Sequence, residues 1–103
     1  MRDMNTYWKS IVDSLSDRGL QFRIKWLGDN AMADWQPWVI CPAEGYLETG
    51  QLGPVPVREV EWLAVSLFDR DGKDQSKQIA KLLTEMDAIF RCTTDSLQVI
   101  FEA

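Results

Sequence analysis

Apolar residues at Met4, Tyr7, Trp8, Ile11, Val12 and Leu15 recur at the i, i+3, i+4 and i+7 spacing of one helical face. Lys9, Asp13 and Asp17 fall elsewhere around the same cylinder. Asp3 or Asn5 is placed to cap the start of this helix, and Gly19 to end it in a left-handed turn. The period then changes. Leu20, Phe22, Ile24 and Trp26 alternate with Gln21, Arg23 and Lys25, the period-2 pattern of a half-buried strand. Gly28 to Pro37 reads as a polar loop that begins with a Gly28-Asp29-Asn30 turn. Trp38 to Cys41 reads as a short strand ended by Pro42, pairing with Tyr46 to Thr49 through an Ala43-Glu44-Gly45 turn.

Gly50 to Pro56 holds two glycines and two prolines, and the pattern predicts a loop there. Val57 to Phe68 is the strongest strand signal, with Val60, Trp62 and Ala64 on one face and Glu61, Leu63, Val65 and Leu67 on the other. Asp69-Arg70-Asp71-Gly72 forms a turn. A second helix follows from an N-cap at Asp74, with Ile79, Leu82, Leu83 and Met86 as its apolar face. Ile89 to Cys92 and Leu97 to Phe101 make a final hairpin around Thr93-Thr94-Asp95-Ser96. The predicted order is α-β-β-β-β-α-β-β. That order implies a two-layer α+β sandwich, a mostly antiparallel sheet packed by two helices. Residues 1–103 read as a single domain, with no internal repeat, low-complexity tract or linker.

Composition narrows the function classes. A 46% apolar and 26% charged chain is ordinary for a soluble domain, and no run approaches the roughly 20 apolar residues of a membrane span. The first residues lack the apolar core of a signal peptide, so a cytoplasmic location is expected. In that compartment Cys41 and Cys92 are expected to be buried free thiols. With no histidine and no Cys-x-x-Cys pair, neither a metal nor another cofactor is expected. Net charge is −5, and residues 29 to 62 alone carry six acids against the single base Arg58. This balance disfavours direct nucleic-acid binding, which needs a basic face to displace counterions from phosphate.

The same central stretch holds Trp35, Trp38 and Trp62. Acids beside large aromatics suit a surface for a basic protein partner. Asp29, Asp34, Trp35, Glu44, Tyr46, Glu48, Glu59 and Glu61 are the candidate partner-binding residues. Glu59 and Glu61, two apart on the predicted strand, would leave the same face. A solvated strand face is the plainer account of that pair. Catalysis by it would need a companion base, nucleophile or metal, which the pattern does not supply. If one of the two loop tryptophans packs in the core, Trp38 at the strand start is the better candidate, and the other is then free for binding; Trp8, Trp26 and Trp62 are expected in the core. Serine chemistry of the Ser–His kind is excluded, because no histidine exists to act as base. The proline in Gly50-Gln51-Leu52-Gly53-Pro54 spoils a phosphate-cradling loop. The reading is of a non-enzyme.

The stretch Trp38-Val39-Ile40-Cys41-Pro42 to Tyr46, then Gly53-Pro54 and Glu59-Val60-Glu61-Trp62-Leu63, is similar to an uncharacterised bacterial domain family. Members of that family begin with a Trp-containing helix like Thr6-Tyr7-Trp8-Lys9. As a small, acidic, histidine-free α+β chain it also resembles the immunity proteins of bacterial polymorphic-toxin systems, of the contact-dependent inhibition and Rhs types. That resemblance implies a protein that binds a cognate toxin domain, often a basic nuclease, and blocks its active site. It carries over no functional residues. The alternative is a small non-enzymatic adaptor or regulatory subunit. The chain would be a monomer or a weak homodimer.

Overall fold

The computed structural model describes residues 3–29, 34–50 and 52–101. Helix α1 (Met4–Leu15) leads into β1 (Phe22–Trp26), and a hairpin of β2 (Tyr46–Glu48) and β3 (Pro54–Pro56) follows. A single 3-10 turn, Val57–Glu59, then runs into β4 (Val60–Ser66), α2 (Ser76–Glu85), β5 (Ile89–Cys92) and β6 (Ser96–Ile100). The predicted order α-β-β-β-β-α-β-β holds, and every strand pair is antiparallel. The strands divide into a four-stranded sheet, β1-β4-β6-β5, and the two-stranded β2-β3 ribbon.

Asp3 caps α1 by accepting the Thr6 amide and hydroxyl. The helix buries Tyr7, Trp8, Ile11, Val12 and Leu15, and α2 buries Ile79 and Leu83. Both stripes share one core with Phe22, Ile24, Leu63, Val65, Leu97 and Val99 from the four-stranded sheet. Leu47, Val55 and Val57, with Val39, close one end of that core. Trp62 and Ala64 are buried too but stand outside this cluster, on the sheet face turned away from the helices.

Four expectations need correction here. Val57–Glu59 is a 3-10 turn, so the long strand begins only at Val60. Within it the register slips: Lys25 pairs with Trp62 and Trp26 with Val60, which leaves Glu61 as the extra residue of a β-bulge. Side-chain alternation changes phase at that point. Val60 faces the core while Trp62 faces away, and Glu61 reaches Lys25 on the Trp62 side at 2.7 Å. Glu59 and Glu61 therefore do not form a strand pair on one face.

Second, Pro54–Pro56 is a strand, not a loop. Val55 pairs with Leu47 and the Val57 amide donates to the Gly45 carbonyl, so the two proline nitrogens fall on the outer side of an edge strand. Third, the predicted strand at residues 38–41 is reduced to one bridge, Ile40 with Glu48. Fourth, α2 begins with Gln75 as its N-cap residue. Asp74 lies one residue earlier and accepts the Ser76 amide.

Tyr7 ties the helix to the far end of the chain. Its hydroxyl donates to the Ile100 carbonyl and accepts the Ile89 amide at 3.1 Å, sitting within the β5–β6 ladder where Ile89 faces Ile100. Tyr7→Phe should destabilise the fold by about 1–3 kcal/mol, the magnitude for buried backbone groups left without a partner. Urea unfolding checks this, and an unchanged midpoint would refute it.

Three aspartates, Asp3 and Asp74 exposed and Asp69 half-buried, hold backbone turns, and each has its acidity strengthened. Asp3 is lowered by the Thr6 hydroxyl and amide, Asp69 chiefly by the Lys73 amide, and Asp74 by the Ser76 hydroxyl and amide. A carboxylate depressed in the folded state stabilises above its ordinary value near 3.8, and that contribution is lost as pH falls through the lowered value. Thermal stability should therefore fall below about pH 4. Asp69→Asn should flatten that fall, because the amide oxygen still accepts the Asp71 and Lys73 amides but no longer titrates.

Candidate functional site

The β2–β3 ribbon carries the clearest exposed apolar surface. Leu47 and Val55 face each other and are buried against the core, as is Val39 on the neighbouring segment. Because side chains alternate, the residues flanking these three turn outward: Ile40, Tyr46, Glu48, Pro54 and Pro56. Ile40 is 42% exposed, Tyr46 38% and Trp38 38%. The Trp38 indole lies over Gly50, where a Cβ would come within 3.2 Å of the ring, and Gly50 has φ +90. Only glycine satisfies both the close approach and the left-handed backbone. Glu44, in the turn before β2, is exposed and Glu48 is half-buried. Together the ribbon and residues 38–40 beside it present an aromatic, aliphatic and proline face, with Glu48 on β2 and Glu44 in the turn before it.

Trp38, the better core candidate of the pair from its place at the strand start, is instead the exposed one; Val39 takes the core position. Trp35 is half-buried instead. The Arg23 guanidinium lies 4.6 Å from its ring centre, a cation–π contact on the open side of β1. Trp8 is fully buried and Trp62 nearly so, whereas Trp26 is half-buried against the core.

The eight candidate residues are not drawn into one acidic face. Glu44, Tyr46 and Glu48 share the ribbon. Asp34 and Trp35 lie beside β1, where the backbones of Phe22 and Gln36 bond each other. Glu61 is held by Lys25 on the open sheet face, with Arg23 and Arg91 on the same side by register. Asp29 and Glu59 are exposed at the end of β1, where the Leu27 amide donates to the Glu59 carbonyl. The sheet face turned away from the helices is therefore mixed in charge; among the described residues, acids stand near exposed aromatics on the ribbon and again at Phe68, which shares a smaller cleft with Asp69, Arg70 and Asp95.

Sequence reasoning missed Ile40 and the outward prolines. It also missed a cleft of 390 Å³ between the first turns of α1 and the turn after Cys41, lined in part by Asn5, Lys9, Cys41, Glu44, Tyr46 and Val57. Three consecutive apolar residues, Trp38-Val39-Ile40, give no sign of which one faces inward. The signal was present in the glycine that makes room for Trp38. Both cysteines are free, but they are not both buried: Cys41 is half-buried and Cys92 exposed. Burial raises the Cys41 thiol above its ordinary value and the Asp13 charge adds to this, against a smaller opposing effect of Lys9, so the thiol ionises less readily than an ordinary cysteine.

Among the described residues, no group of three or more acids and cysteines could hold a metal ion, and no helix is long and apolar enough to cross a membrane. No protein-family model, curated protein or solved structure matches the chain.

Proposed function

We propose that this chain is a non-enzymatic binding protein that neutralises a cognate toxin domain, as the immunity proteins it resembles do. The outer face of the β2–β3 ribbon would meet a basic surface of that toxin. One observation carries the reading: Trp38, Ile40 and Tyr46 are exposed together on the antiparallel ribbon and the segment bridged to it, beside Glu44 and Glu48. Aromatics held on fixed backbone bury area with little loss of side-chain freedom, the property of binding hot spots. The carboxylates would steer a basic partner and raise its association rate.

Co-expression with the open reading frame immediately upstream tests the reading by host growth and co-purification. Rescue from toxicity with a stable 1:1 complex supports it; a harmless neighbour that forms no complex refutes it. With the toxin in hand, Glu44→Lys with Glu48→Lys should slow association by about tenfold or more at low salt. The difference should shrink as salt screens the charges. Equal rates at low salt would remove the electrostatic half of the reading.

Self-association as an adaptor could use the same ribbon. A twofold contact there would bring Glu44 and Glu48 toward their own copies, which disfavours it. Light scattering across protein concentration decides between the two: a constant monomer mass eliminates the dimer.

A further inference from the structure

The cleft beside α1 adjoins the exposed ribbon and shares Tyr46 with it. Tyr46, Val57 and the half-buried Cys41 give it apolar walls, and Glu44 stands in its lining. Lys9 enters from α1, but Asp13 already holds it at 2.6 Å. Both of those charges lie close enough to act on Cys41. The charged lining residues are Lys9 and Glu44, and because Asp13 beside the cleft offsets Lys9, Glu44 is the lining charge left uncompensated among the described residues.

Resting on the toxin-binding reading, we propose that this cleft receives one lysine or arginine side chain of the toxin. Its hydrocarbon stem lies along Tyr46, Val57 and Cys41, and its cationic head meets Glu44. Long basic side chains bury their stems in this way while keeping the charge paired. At 390 Å³ the cleft has room for one long side chain. A purely apolar occupant would bury Glu44 without a partner and is disfavoured for that reason. Lys9 does not repel the incoming charge on balance, since Asp13 compensates it.

The two thiols supply the test. Cys41 lines the cleft and Cys92 is exposed on β5, so the second is an internal reference for the first. Alkylation by iodoacetamide at mildly alkaline pH is followed at both sites by mass spectrometry, with and without an amidated tetra-arginine peptide. The expected result is a several-fold slowing at Cys41 alone, abolished by Glu44→Gln. Unchanged rates at Cys41 overturn the proposal. So does protection that persists undiminished in Glu44→Gln, because the cleft then does not read charge.

Capture of the toxin separates this idea from the reading beneath it. Loss on Ile40→Glu with full retention on Glu44→Gln overturns the cleft assignment and keeps the ribbon. Retention on both overturns the ribbon as the binding face.

Discussion

Trp8→Ala should lower the melting temperature by about 12–40 °C. Trp8 is fully buried, heads the large side chains of the core, and stacks edge-on against Tyr7 with ring centres 5.4 Å apart. Truncating a buried tryptophan costs about 3–5 kcal/mol in lost transfer energy and residual cavity. A domain of this size has only about 5–15 kcal/mol in all. The indole Nε1 is buried with no hydrogen-bond partner among the described residues. Trp8→Phe removes that stranded donor along with part of the volume, so its loss should be less than half that of alanine. Thermal unfolding followed by circular dichroism measures both. If the alanine variant melts close to the parent, the core is not organised around this residue.

The second large effect concerns binding and not stability. Trp38→Ala combined with Tyr46→Ala should weaken toxin binding by nearly a thousandfold, taking about 2 kcal/mol for each aromatic hot spot. The loss should appear in the dissociation rate, which absorbs most changes at an established interface. Both side chains are more than a third exposed, so the variant should stay folded. Trp35→Ala is the contrast. Its ring is engaged by Arg23 within the molecule, so it should lower stability modestly and leave the partner bound. Unaltered affinity in the double variant, or lost affinity in Trp35→Ala, would move the interface from the ribbon to the β1 edge.

These contrasts mark where the sequence could be read and where it could not. The helices and the β5–β6 hairpin were legible because their apolar periods run without interruption and their ends carry turn residues. The faces of β4 were not, because one inserted residue at Glu61 shifts the phase of alternation, and nothing local announces a bulge. Pro54 and Pro56 argued against a strand only on the assumption of a central one. Two prolines two residues apart place both nitrogens on the same side, which an edge tolerates. The candidate site was half legible. Glu44, Tyr46 and Glu48 were identified and do share the ribbon. Glu61, Asp34 and Trp35 do not join them, since folding sets these three on or beside the sheet face turned away from the helices, next to Arg23 and Lys25.

The Tyr7 hydroxyl also sets a timetable for biosynthesis. Its partners are 82 and 93 residues further along, so α1 leaves the ribosome long before the backbone that receives it. At translation speeds of about 5–20 residues per second, that interval lasts roughly 5–20 s. Throughout it the nascent helix displays Trp8, Ile11, Val12 and Leu15 without the β5–β6 ladder to close over them. Chaperone engagement and proteolytic loss should concentrate in this window, and a ribosome stalled before Ile89 should hold a chain that is still sensitive to protease.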